Sequence, residues 1–197
     1  MESKETAMFG SKQNKLKDGT IVTLRPMVKE DEEGLFDFFQ KLPDELTLFI
    51  RHNVKDRAVI RDWAERLNYN RVLPLLALKD DDIIGDASLH RVSHGWKRHI
   101  GRVRVVVAPD YQRRGLATLM LNELVTLGHE LGLEKLWAEI PLDSPGAIRA
   151  CRNAGFVCKA VIEGMVKDLR DQDIDVLIMV CDIPTFFDKR WRGSSCR

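Results

Sequence analysis

The stretch that most limits what this chain can become is residues 99–132, HIGRVRVVVAPDYQRRGLATLMLNELVTLGHELG. Residues 103–107 form a valine-rich run that favours a buried strand. Pro109 and Asp110 end it, because proline cannot donate to a ladder and disfavours helix just before itself. A basic turn with one glycine follows, and a helical apolar period opens directly after it. Leu116, Leu119, Met120, Leu124, Leu127 and Leu131 share one helix face, and Gly132 offers a C-terminal stop.

Strand, short basic turn with glycine, then helix N-terminus is a physical recipe for holding phosphate. The first turn of a helix leaves N–H groups unpaired, and the dipole adds partial positive charge there. Gly115 lets an anion approach the backbone, while Arg113 and Arg114 supply charge. On spacing alone, an ordinary strand-to-helix turn with solvated arginines reads equally well.

Residues 107–117, VAPDYQRRGLA, resemble the acetyl-CoA-binding motif of the GNAT N-acetyltransferase superfamily, V-x-P-x-(Y/W)-(Q/R)-x-x-G-(I/L)-(G/A), and match it at every defined position. Neither a dinucleotide G-x-G-x-x-G nor a nucleotide P-loop occurs in the chain. The resemblance implies acetyl-CoA as cosubstrate. Backbone N–H groups of Gln112, Arg113, Arg114, Gly115, Leu116 and Ala117 would bind the pyrophosphate, with Thr118 close enough to help. The strand edge at Val105, Val106 and Val107 would pair with the pantetheine arm, and an N–H there would polarise the thioester carbonyl. Residues 23–43, TLRPMVKEDEEGLFDFFQKLP, are loosely similar to the opening strand and helix of GNAT domains, including those of bacterial protein lysine acetyltransferases.

Composition agrees with one globular domain large enough for a sizeable core. With 31 basic against 30 acidic residues the net charge is +1, so nothing points to nucleic acid. No apolar run reaches membrane-span length, and no signal-peptide core is present. Cys151, Cys158, Cys181 and Cys196 lack metal-ligand spacing and read as free thiols in a reducing cytoplasm, with no metal expected. The Asp80-Asp81-Asp82 run reads as a solvated turn.

Residues 1–18, polar and lysine-rich, are expected to be a flexible leader, residues 19–183 the catalytic domain, and residues 184–197 an aromatic and basic tail. Between them the patterns predict strands at 20–25, 72–78, 83–92, 99–107, 135–140, 156–169 and 174–183. Helices are predicted at 30–42, 56–69, 116–131 and 144–155, the last capped by Ser144 with Pro145 at its first position. That order is a mixed α/β sandwich, and it is the order of the GNAT fold, a central twisted mixed sheet flanked by helices.

Acetyl transfer to an amine needs an anchored cofactor, a polarised carbonyl, a deprotonated amine and a leaving thiolate. Ser144 stands where many GNAT sequences carry an asparagine that hydrogen-bonds pantetheine, and it serves equally as a plain helix cap. The family's general base is often a glutamate near Gly101 and Arg102, neither of which can act. His99 shares the face of Gly101 by alternation and carries an imidazole, the side-chain type suited to a general base, and Glu139 and His90 are further candidates. Cys151 falls where the family often has a tyrosine acid, and it reads alternatively as a small helical hydrophobe. Arg102 and Arg104 in mid-sheet need partners, Asp86 or Glu139, unless one of them pins an acidic acceptor.

Two functions follow. The leading one is an acetyl-CoA-dependent N-acetyltransferase acting by direct attack on a protein lysine, a protein N-terminus or a small amine, and a homodimer is compatible with it. Its rival is an acyl-CoA-binding sensor or interaction domain without turnover.

Overall fold

Valine- and leucine-rich runs supply the middle of the fold because β-branched and apolar side chains suit a pleated surface buried on both faces. In the computed structural model, which describes residues 10–194, strands β1 (Lys12–Lys15), β2 (Ile21–Pro26), β3 (Val72–Lys79), β4 (Asp82–His90), β5 (Ile100–Val107), β6 (Lys135–Pro141), β7 (Val157–Lys167) and β8 (Asp173–Asp182) form one sheet. Its order is β1-β2-β3-β4-β5-β6-β8-β7. Every neighbouring pair is antiparallel except β5–β6, which is parallel.

Helices α1 (Glu32–Lys41), α2 (Asp44–Thr47) and α3 (Arg57–Glu65) sit before β3; α4 (Leu116–Glu130), α5 (Pro145–Asn153) and α6 (Ile183–Ser194) sit after β5. The two groups cover opposite faces of the sheet. Leu116, Met120, Leu124 and Leu127 of α4 pack with Leu73, Leu89, Val103, Leu136 and Phe156. On the other face Leu35, Phe38 and Phe39 of α1 and Ile60 of α3 pack with Leu76, Leu78 and Val106. Full burial of such side chains contributes about 1.5–3 kcal/mol each.

Most predicted elements are present, with shifted ends. Helix α3 stops at Glu65 rather than 69, and Tyr69 turns inward, its hydroxyl donating to the Met27 carbonyl at 2.6 Å. Asp56 caps α3 by accepting from the Ala58 N–H at 2.9 Å. The single-turn α2 was not expected, since Pro43 marks only where α1 ends.

The leader is the main correction. Residues 1–9 lie outside the described residues, but Lys12–Lys15 form β1, paired along the edge of β2. Leu16, buried in the α4-side core, anchors the turn that follows. The expected tail becomes α6, which packs Ile183, Phe186 and Phe187 on the same core. Cys196 lies outside the described residues.

Gly101 shows why β5 carries no side chain at that point. A Cβ there would meet Leu89 at 2.5 Å, Leu136 at 2.8 Å and Leu133 at 3.0 Å. Gly101→Ala is therefore expected to destabilise the fold by about 1–3 kcal/mol through overpacking. A denaturant midpoint equal to that of the parent protein would show that this contact is not tight.

Candidate functional site

Three features meet around the C-terminal half of β5. The first is a gap in the sheet. Strands β5 and β6 pair only at Ile100↔Lys135, Gly101↔Leu136 and Arg102↔Trp137, although β5 runs to Val107 and β6 to Pro141. Beyond Arg102, β5 stays with β4 while β6 stays with β8, so the two arms part. The Ala108 N–H donates to the Ile84 carbonyl at 3.0 Å, so by alternation Arg104 and Val106 turn their backbone groups to β4. Val105 and Val107 turn theirs into the gap. The Val107 carbonyl accepts from Gln112 Nε2 at 3.2 Å. Val106 thus gives the gap no backbone group, and its side chain is buried on the α1/α3 side.

The second feature is the turn at residues 112–118. Arg113 at φ 61° and Gly115 at φ 94° both occupy the left-handed region. That region suits glycine, whereas for arginine it stores about 1 kcal/mol or more of strain. The first N–H to return to the helix is that of Leu119, to the Gly115 carbonyl at 3.0 Å. The N–H groups of Leu116, Ala117 and Thr118 therefore lack a helical acceptor and form an anion cradle. The Leu116 side chain itself is buried. Thr118 Oγ1 donates to the Ala150 carbonyl at 3.5 Å, tying α4 to α5. Arg114 is less available than its sequence position suggests: it bridges Asp18 at 2.8 Å and stacks over Tyr111.

The third feature is a polar patch on the opposite, α1/α3 face, where the apolar cover thins. Asp86, Ser88 and His90 of β4 stand beside Arg102 and Arg104 of β5, with Glu139 on the β6 arm. Arg104 bridges the buried Asp86 at 2.6 Å and lies over the Trp63 ring at 5.7 Å, and Trp63 also touches His52. Burial pushes the Asp86 carboxyl up, and Arg104 opposes that. Arg102 reaches Glu139 at 3.4 Å. Both arginines are thus paired with the partners their sequence context offered. His90 Nε2 lies 3.0 Å from Ser88 Oγ. Burial first, then Arg104, Arg102 and His52, push the His90 imidazole from 6.5 down to about 4.

The three base candidates separate cleanly. His99 precedes β5 at the closed end of the β5–β6 ladder, where its carbonyl accepts from Glu134 and Lys135 N–H groups. It shares the α4-side face of Gly101 and stands away from the gap. His90 is on the polar face but is a weak base. Glu139 is on the polar face, on the parted arm of β6, past the last rung.

The Cys151 thiol is buried in the α4-side core, and burial pushes it up to about 12. Such a thiol is a weaker acid than an ordinary leaving thiol. Ser144 occupies the N-cap position of α5 but makes no capping bond, its hydroxyl donating to Asp143 at 3.4 Å. Among the described residues no three His, Cys, Asp or Glu side chains gather as metal ligands, and no helix is long and apolar enough to cross a membrane.

A family model described as Acetyltransferase (GNAT) family matches residues 35–156, more than half of the chain. No curated protein matches at a significant level. Among solved structures, the GNAT domain of S. lividans PAT superposes with a TM-score of 0.73 at 19% identity, covering 87% of this chain and 96% of that one. The ribosomal-protein-S5-alanine acetyltransferase of Vibrio fischeri gives 0.72 at 14% identity, covering 84% and 94%. Salmonella typhimurium yncA, solved with its cofactor acetyl-CoA, gives 0.70 at 18% identity, covering 82% and 94%. At these identities the likeness is one of fold.

The depressed His90 makes stability pH-dependent. The unfolded chain takes up a proton near pH 6.5, the folded chain only near pH 4, so folding loses stability as pH falls through that window. Thermal melts are expected to fall from pH 6.5 to 4 in the parent protein and to fall less in His90→Gln. Parallel curves for the two would contradict the buried, neutral imidazole.

Proposed function

The chain belongs to the GNAT acetyltransferase family and is an acyltransferase, and from that premise we propose that it transfers the acetyl group of acetyl-CoA to a primary amine by direct attack. The observation that carries this reading is the parting of β5 from β6 after Arg102. It leaves an extended backbone edge, and the turn that follows ends in unpaired helix N–H groups. An edge for an amide-bearing arm, contiguous with a cradle for phosphate, is what an acyl-CoA requires.

In this reading Val105 and Val107 bind the pantetheine arm by strand-like hydrogen bonds. One of their N–H groups polarises the thioester carbonyl, a preorganised donor aimed where negative charge develops. Gly115, Leu116, Ala117 and Thr118 take the pyrophosphate, and Gln112 holds the Val107 end of the edge in place. Acetyl-CoA supplies an acyl carbon already activated by a good leaving group, since a thiol of pKa about 8.5 departs as thiolate without an acid. The weak acidity of Cys151 is then no obstacle, and its role is packing.

The acceptor amine approaches from the polar face, opposite α4, and must lose a proton to attack. Glu139 is the proposed base, acting directly or through one water, with Arg102 holding its carboxylate on the parted arm of β6. Protein lysines, protein N-termini and small amines present the same nucleophile, so all three belong to the acceptor class. The free thiols of Cys151, Cys158 and Cys181 suit a reducing, cytoplasmic setting.

Two variants test the two halves. Glu139→Gln is expected to lower kcat by about 100-fold while leaving acetyl-CoA affinity unchanged, measured by thiol release and calorimetry. An unaltered kcat would remove Glu139 as the base. Gly115→Val forces a β-branched residue into the left-handed region and obstructs the cradle, and is expected to weaken acetyl-CoA binding by about 10-fold or more. Unchanged affinity would mean that the pyrophosphate binds elsewhere.

A further inference from the structure

The strand that the sequence disguises as a leader borders a cavity. Lys15, Leu16 and Lys17 form one wall, Gly115, Thr118, Leu119 and Asn122 of the first α4 turns form another, and Asn153 at the end of α5 closes the side. Its volume is about 510 Å³. The lysines are held in place, not trailing. Leu16, between them, is buried in the main core, its N–H donates to the Thr20 carbonyl at 2.8 Å, and the Lys17 N–H donates to the Arg114 carbonyl at 3.2 Å. The Lys17 methylenes lie along Gly115, about where a side chain at that glycine would project.

The charge of this cavity is one-sided. Arg114 at its rim is neutralised by Asp18 at 2.8 Å, and Lys12, three residues before Lys15, is bound to Glu123. Among the described residues no ion pair involves Lys15 or Lys17, and the cavity lining contains no acidic side chain. Two free ammonium groups, two side-chain amides and a hydroxyl, all beside the pyrophosphate turn, suit a phosphorylated nucleoside. Lysine contributes here as a mobile point charge suited to a phosphate monoester.

We propose that the β1–β2 turn is the nucleotide-recognition wall of the acyl-CoA site, with Lys15 and Lys17 taking the 3′-phosphate of the adenosine and Asn122 and Asn153 facing its ribose or base. This rests on the acetyl-CoA reading above. Lys15 and Lys17 lie before the stretch that the family model matches, which begins at residue 35. These lysines thereby determine specificity: they select CoA thioesters over thioesters of dephospho-CoA, which is identical except for the 3′-phosphate.

The test is calorimetry on the full chain with CoA and dephospho-CoA as paired probes. The parent protein is expected to bind CoA about 10-fold or more tightly than dephospho-CoA, as one or two charge-assisted contacts imply. Lys15→Gln and Lys17→Gln are each expected to weaken CoA binding and leave dephospho-CoA binding unchanged, narrowing the ratio towards one in the double variant. Glutamine keeps the first two of lysine's four methylenes and replaces the rest by a neutral amide, and Lys12→Gln serves as a charge-loss control on the same strand whose ratio is expected to match the parent. Equal affinity of the parent protein for both probes would overturn this assignment and leave the acetyl-CoA reading intact. An equal loss for both probes in the lysine variants would also overturn it, by placing the lysines at the pyrophosphate instead. Binding of neither probe to the parent protein would overturn the acetyl-CoA reading itself, and this assignment with it.

Discussion

The architecture depends on a parallel ladder that is allowed to fail. Strands β5 and β6 are joined for three residue pairs and then diverge, each retained by an antiparallel neighbour on its outer side. Unpaired strand edges are normally a liability, because exposed N–H and C=O groups invite non-specific pairing. Here the open edge lies inside the sheet, between β5 and β6, with helices packed on both faces. The close approach of Leu89, Leu133 and Leu136 around Gly101 holds the closed end of the ladder tight. That rigidity defines where the opening begins.

In the proposed function the two faces of the sheet divide the work. The α4 side is apolar at depth and offers backbone N–H groups at its rim, a surface for phosphate. The α1/α3 side carries Asp86, Arg104, Arg102, His90 and Glu139, the surface that the proposed function assigns to an amine and its proton. Desolvating the Asp86–Arg104 pair is costly, and such a pair is weak evidence for stability. Its effect is better read in the field it leaves: a neutral His90 and an Arg104 guanidinium held against Trp63. Glu139 alone among the titratable candidates stands on the parted arm, paired loosely and open to solvent.

Much of this was readable from residues alone, for physical reasons. The strand, turn and helix around Gly115 announced themselves because valine run, proline, glycine and apolar period each act locally. The pairing of Arg102 and Arg104 with Glu139 and Asp86 followed from the cost of lone charges in a sheet. The proposed base is harder to read. Alternation puts His99 with Gly101, but only the packing of three leucines against Gly101 reveals that this face looks toward α4 and away from the polar face. Strand β1 was invisible because KQNK is an edge strand exposed on both faces, with no alternation to betray it. Its apolar anchor, Leu16, is one apolar residue in a polar run. Ser144 has the right identity for a cap, yet it turns to Asp143 instead.

In the proposed function the open edge of β5 receives an acyl-CoA arm. Amide hydrogen exchange, resolved by residue with and without acetyl-CoA, reads that edge directly. The amides of Val105 and Val107, which face the gap, should exchange markedly more slowly in the complex. Those of Arg104 and Val106, already committed to β4, should change little. Unchanged exchange at Val105 and Val107 under saturating acetyl-CoA would contradict the account.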